Sequence, residues 1–148
     1  MVSVDLIKKL REKTGAGIAD CRGALEEAKG DLKKAEEIIQ RKGLEKATKK
    51  SERETHQGRV FSYVHADKIG VLVSLRCETD FVAKTEDFQK LGKELCLQVS
   101  AMDPKNIAEL ESQEYIRDPK VTIGDMIKST IGKLGENIKV GEFSRIAV

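Results

Sequence analysis

The sequence alternates most strictly in IGVLVSLRCE, residues 69–78. Apolar residues occupy every second position of this stretch: Val71, Val73, Leu75 and Cys77. A period of two predicts a β-strand with one face buried. Leu72 places a further apolar side chain on the opposite face, so we expect that face to pack on something as well, with a second copy of the chain as one candidate.

Two further segments are predicted to pair with this strand. Residues 60–65 precede it, and the short polar connection Ala66-Asp67-Lys68 favours an antiparallel hairpin. Residues 138–148 alternate as well, but the alternation slips between Val140 and Phe143. A bulge at Gly141 would explain the slip. We therefore expect a three-stranded antiparallel sheet.

Two long helices are predicted to cover one face of this sheet. The first runs from about Thr85 to Met102, and its apolar residues recur in steps of three and four: Phe88, Leu91, Leu95, Val99 and Met102. The second begins at Thr122, which forms a capping-box-like pair with Asp125, and ends at Gly135. Residues 105–121 are expected to be irregular, with room for one short helix. The order β-β-α-α-β predicts an α+β domain over residues 59–148.

The first 43 residues predict three short helices. Ser3 and Asp31 are suitable N-caps, because their side-chain oxygens accept backbone N–H bonds. Glycines mark the expected helix ends, since glycine readily adopts the left-handed conformation found there; they are Gly15, Gly30 and Gly43. The second helix, residues 18–29, is expected to turn four residues inward: Ile18, Cys21, Leu25 and Ala28.

Residues 44–58 differ from the flanking segments, because Leu44 and Ala47 are their only apolar side chains. We predict a charged linker helix that Gly58 closes, and hence three units: 1–43, 44–58 and 59–148. The basic run within residues 46–53 leaves weak RNA binding as an alternative function. Neighbouring glutamates reduce the net charge of residues 44–58 to +1, which makes this a weak phosphate-binding surface.

Composition excludes several classes of protein. The chain has 148 residues with 27 basic and 25 acidic side chains, and this near-balance argues against a dedicated nucleic-acid binder. No window approaches the roughly 20 apolar residues of a membrane span, and charges in the first turns argue against a secretory signal. Three cysteines without a CxxC pair argue against a disulfide framework or zinc site and favour a reducing cytoplasm.

No set of residues predicts an active site. Cys77 stands beside Glu78, whose carboxylate raises rather than lowers a thiol pKa, so a buried core cysteine is the expectation. The TGAG stretch at residues 14–17 lacks the strand and the Lys-Ser/Thr ending of a phosphate loop. Asp80 and Glu86 are too few to hold a cation. We expect neither enzyme activity nor a cofactor or metal.

The exception to this plain patterning is Thr79-Asp80-Phe81-Val82, which lies between the second strand and the next helix. Connections of this kind are usually exposed. Phe81 is therefore either folded back as a core plug or held outward as a protein-docking element. The pattern alone favours the plug and leaves both readings open.

These residues also carry a resemblance to a known family. LIKKLREKTGAGIADC (6–21), CETDFVA (77–83) and KLGENI (133–138) together resemble elongation factor Ts, the nucleotide exchange factor of the GTPase elongation factor Tu. The resemblance implies an N-terminal ubiquitin-associated-like three-helix domain followed by an α+β core. It also implies an outward Phe81, inserted between helices of the GTPase near its magnesium site.

The resemblance assigns partner-binding roles to seven residues: Thr79, Asp80, Phe81 and Val82 on the core, and Leu10, Ile18 and Ala19 on the N-terminal domain. Longer family members have two core subdomains and a helical hairpin, for which residues 103–121 are too few. The chain resembles the short form, which implies a homodimer, and no transit-like segment is visible, which favours a bacterial cytoplasm. An adaptor of the ubiquitin-associated type remains the main alternative.

Overall fold

The computed structural model describes all of residues 1–148, and these contain seven helices and five strands. In chain order these are α1 (Val4–Thr14), α2 (Ile18–Glu27), α3 (Leu32–Lys50), β1 (Gln57–His65), β2 (Ile69–Cys77), α4 (Asp80–Ala83), α5 (Glu86–Met102), α6 (Ile107–Ser112), β3 (Glu114–Tyr115), β4 (Asp118–Thr122), α7 (Ile123–Leu134) and β5 (Ile138–Ala147). The α+β class and the helical N-terminus are confirmed.

Helices α1 to α3 form the predicted bundle around a small core of its own. Ser3 caps α1 by accepting a bond from the Leu6 amide, and Asp31 caps α3 by accepting bonds from the amides of Lys33 and Lys34. The buried residues of this core are Leu10, Cys21, Ala24, Leu25, Ala28 and Ala35. The inward placement predicted for Ile18 is wrong, because 58% of this residue is exposed. Side chains lean toward the N-terminus of a helix, so the first residue of α2 points past the bundle.

The predicted end of the third helix at Gly43 is also wrong, because α3 runs without a break from Leu32 to Lys50, 19 residues in all. A close crossing with α7 accounts for this continuation. A Cβ atom placed on Gly132 would lie 2.8 Å from the Gly43 Cα atom, so only glycine allows α3 and α7 to approach this closely. Packing beyond Gly43 then buries Ala47 in the core of the sheet domain.

Strands β1, β2 and β5 form the predicted antiparallel sheet, with β2 in the centre. The β1–β2 turn has positive φ angles at Ala66 (49°) and Asp67 (58°), as a tight hairpin requires. The predicted bulge is confirmed: Ser74 pairs with Glu142 and Leu75 with Val140, which leaves Gly141 unpaired.

One face of the sheet packs against α5 and α7 around the core that contains Val73, Leu75, Phe88 and Leu95. Met102 is half exposed, contrary to its predicted place in the apolar stripe of α5, because it is the last residue of that helix. The opposite face leaves four apolar side chains exposed: Val60, Val64, Leu72 and Ile146.

Residues 105–121 are more regular than predicted, since they form α6 and most of the small β3–β4 ribbon. Gln98, fully buried on α5, anchors this ribbon. Its side-chain amide donates to the Glu114 carbonyl at 3.0 Å, and its carbonyl accepts from the Ile116 amide at 3.1 Å.

None of the seven helices is long and apolar enough to cross a membrane.

Candidate functional site

The segment Thr79–Val82 forms the cap and first three residues of the short helix α4. Phe81 is 81% exposed, whereas Val82 and Ala83 on the same helix are buried in the core. Successive helical residues point about 100° apart, so burying Val82 and Ala83 turns Phe81 toward solvent. The core-plug reading is therefore wrong, and the outward reading of Phe81 agrees with the structure.

Thr79, in the connection between β2 and α4, is bonded both to α4 and to Glu136 in the loop before β5. Its hydroxyl accepts a bond from the Val82 amide at 3.3 Å, which caps the helix. The same hydroxyl donates to Glu136 at 2.7 Å, and the Thr79 amide donates to the other Glu136 oxygen at 2.9 Å. Glu136 lies in one of the resembling segments, but nothing in its spacing indicated this contact.

Asp80 adds a negative charge beside the exposed ring. Its carboxylate lies 2.8 Å from the Lys84 ammonium, one turn further along the chain. The hydrogen bond from Lys84 lowers the pKa of Asp80, and the charges of Lys84 and Arg59 act in the same direction. Asp80 is therefore ionised at neutral pH, and the exposed surface of α4 presents a phenyl ring, a carboxylate and an ammonium group.

The three predicted docking residues of the N-terminal bundle differ in their exposure to solvent. Ile18 and Ala19 are exposed at the start of α2. Leu10 is fully buried between the helices, so it supports that surface from within and does not form part of it. The accessible part of the predicted N-terminal site is thus the first turn of α2.

Comparison with known proteins identifies the family. A family model described as "Elongation factor TS" matches residues 78–148. The "Elongation factor Ts" of Fervidobacterium nodosum is 40% identical over 193 aligned positions, with 99% of this chain and 98% of the relative covered. The chain belongs to the elongation factor Ts family. The relatives from Thermosipho melanesiensis and Petrotoga mobilis carry the same name and are 39% and 42% identical, with at least 98% of each chain covered.

Relatives in the elongation factor Ts family contain residues that this chain lacks. The alignment with the Fervidobacterium nodosum relative spans 193 positions, whereas this chain has 148 residues. At least 45 positions of that alignment therefore have no counterpart here. The three-stranded sheet and both predicted docking segments are nevertheless present.

The cysteines of this elongation factor Ts family member are placed as core residues. Cys21, Cys77 and Cys96 are free and buried. Burial, and next to it the charge of Glu136, raises the pKa of Cys77, whose sulfur donates to the Thr79 carbonyl at 3.1 Å. Burial raises the pKa of Cys96 to about 11. No three His, Cys, Asp or Glu side chains lie together in a way that would hold a metal ion.

We expect the folded protein to resist thiol-specific reagents at pH 8. The reactive species is the thiolate, and both burial and the raised pKa values of Cys77 and Cys96 keep these groups protonated and covered. Thiol titration with a chromogenic disulfide should show slow labelling in buffer and three rapidly reacting groups in denaturant. Rapid labelling of one thiol in buffer would contradict the buried placement.

Proposed function

We propose that this chain is a guanine nucleotide exchange factor, which binds elongation factor Tu in its GDP form and promotes GDP release in the bacterial cytoplasm. The observation that carries the proposal is the 81% exposure of Phe81 on a helix anchored to the core, in a member of the elongation factor Ts family. In this proposal Phe81 inserts near the magnesium and phosphate site of the GTPase. Thr79, Asp80 and Val82 present it, and Ile18 and Ala19 form the second contact.

This function requires no bond-making residue. A GTPase holds its nucleotide through phosphate contacts and a magnesium ion. A partner that prefers the nucleotide-free state weakens nucleotide binding by the same factor by which nucleotide weakens the partner. A weakening of about 10⁴-fold requires about 5.5 kcal/mol of differential binding.

Phe81 alone is too small to supply that free energy. Burying one phenylalanine contributes about 1.5–3 kcal/mol, so other contacts must provide the remainder. A second docking surface on the N-terminal bundle raises the effective concentration of the ring at the nucleotide site. The single helix α3 joins that bundle to the sheet domain, because Ala35 packs in the first core and Ala47 in the second.

A release assay tests the proposal. Elongation factor Tu loaded with fluorescent GDP is mixed with excess unlabelled GDP and with stoichiometric or trace amounts of this protein. Acceleration by trace amounts supports exchange activity, because each molecule then acts on many GTPases. Binding without acceleration would instead indicate an adaptor, and RNA binding with a steep salt dependence would indicate the third candidate function.

We also propose that the chain forms a homodimer through the exposed face of its sheet. Val60, Val64, Leu72 and Ile146 make this face apolar, and small side chains on the same face, such as Ser62 and Ser144, would allow close packing. Two sheets that pack face to face bury such surfaces.

Light scattering at micromolar concentration should therefore give twice the chain mass of 16.4 kDa. Leu72→Asp should reduce the mass to that of a monomer and leave the fold intact, since Leu72 is half exposed within one chain. A monomer mass for the unmodified protein would contradict this prediction.

A further inference from the structure

The loop between α7 and β5 is bonded to the segment that leads into α4 and Phe81. Glu136 in this loop uses both carboxylate oxygens on Thr79, which is 57 positions away in sequence. One oxygen accepts from the Thr79 amide at 2.9 Å, and the other accepts from the Thr79 hydroxyl at 2.7 Å. Bonds to an ionised acceptor are stronger than neutral ones, and two of them fix orientation as well as distance.

Helix α4 depends on such external contacts, because it has only four residues. A single helical turn fixes several backbone angles in return for very few hydrogen bonds and is unfavourable by itself. Val82 and Ala83 hold its inner side in the core, whereas Phe81 and Asp80 on its outer side are exposed. Thr79, the residue that caps α4, is therefore the point at which the sheet domain controls the direction of the ring.

Asn137, the next residue of this loop, is bonded to the segment just after α3, the helix that begins in the N-terminal bundle. Asn137 is buried, and its side-chain amide donates to the Arg53 carbonyl at 2.7 Å and to the Ser51 carbonyl at 3.4 Å. Both carbonyls lie just after α3. The backbone amide of Asn137 donates to Glu78 at 3.2 Å, directly before Thr79. One short loop thus holds both the end of α3 and the start of the α4 segment.

We propose that Glu136 is a positioning residue for nucleotide exchange: its carboxylate clamps Thr79 and so holds α4 with Phe81 directed outward. This inference rests on the proposed function for its role in exchange, but the clamp itself is a property of the free protein. Glu136 acts through Thr79 and does not contact the nucleotide. Without the clamp, α4 opens more often, and the fraction of molecules that present the ring for insertion falls.

The clamp is tested first in the free protein, by hydrogen exchange of the amides of residues 82–84. Glu136→Ala should make these amides exchange about tenfold faster, because two charge-assisted bonds are lost. Glu136→Gln should restore much of the protection, since its amide oxygen still accepts from Thr79. Glu45→Ala removes the same charge from an exposed position on α3 and should change nothing. Unchanged protection in Glu136→Ala, with the thermal unfolding midpoint also unchanged, would overturn the clamp.

The role in exchange is tested by a double-mutant cycle in the GDP-release assay. Glu136→Ala should slow release about five- to tenfold alone, but should have little further effect in a Phe81→Ala background, because both changes act on the same ring. A full additional loss in that background would overturn the positioning role and indicate a separate contact of Glu136 with the GTPase. If the unmodified protein fails to accelerate release, the proposed function fails, and the hydrogen-exchange result still decides the clamp.

Discussion

Phe81→Ala is expected to slow GDP release from elongation factor Tu at least tenfold and to leave the fold of the variant itself unchanged. The ring is 81% exposed, so its loss removes little packing from the chain itself. If the ring inserts as proposed, its burial would contribute about 1.5–3 kcal/mol, which corresponds to roughly tenfold to a hundredfold in an equilibrium constant. Release of fluorescent GDP at a saturating concentration of the variant measures the effect.

Two further variants separate the ring from general surface effects. Phe81→Leu keeps an apolar side chain at the same position and should retain part of the activity. Ile116→Ala shortens another exposed apolar residue, on the β3–β4 ribbon. With this variant, elongation factor Tu should release GDP at the same rate as with the unmodified protein. An unchanged rate for Phe81→Ala, measured on a variant with a normal unfolding midpoint, would remove the ring from the mechanism.

Local patterns in the sequence were sufficient to predict most of the sheet domain. The alternation of β2 follows from one buried face, and the slip around Gly141 follows from one extra residue in β5. Thr122 and Asp125 lie in one helical turn, so the capping box that they form is also a local feature. Each of these signals acts within a few residues of the chain.

Features set by distant contacts were missed. Helix α3 continues through Gly43 because α7 lies against it, at Gly132. The β3–β4 ribbon is held by Gln98 from α5, and a single buried glutamine carries no sequence signature of that role. In a sequence, a glycine within a helical pattern predicts the end of the helix unless the close approach of a second helix is known.

The candidate site combines both kinds of information. The sequence marked Thr79–Val82 as unusual, but the direction of Phe81 depends on which of its neighbours are buried, and those are Val82 and Ala83. Pattern alone favoured the wrong direction, and the resemblance to the family favoured the direction that the structure has. The contact between Glu136 and Thr79 joins residues 57 positions apart, so no local motif predicts it.

Ile18→Asp is expected to lower the affinity for elongation factor Tu at least tenfold, with little change in the maximal rate of GDP release. The exposed isoleucine would lose about 1.5–3 kcal/mol of burial in the complex, and the new carboxylate would have to be desolvated. Ile18 is the first residue of α2, where a negative charge favours the helix. We therefore expect the bundle to remain folded in this variant. The concentration for half-maximal release measures the affinity.

Val4→Asp is the matched control, because Val4 is also an exposed apolar residue at the start of a helix in the same bundle. It should bind as the unmodified protein does. Equal losses in both variants would indicate a general effect of added negative charge, and unmodified affinity in Ile18→Asp would remove the start of α2 from the interface. A loss confined to Ile18→Asp would separate two tasks within one chain: the N-terminal bundle would determine how often the factor is bound, and Phe81 how fast the bound GTPase releases GDP.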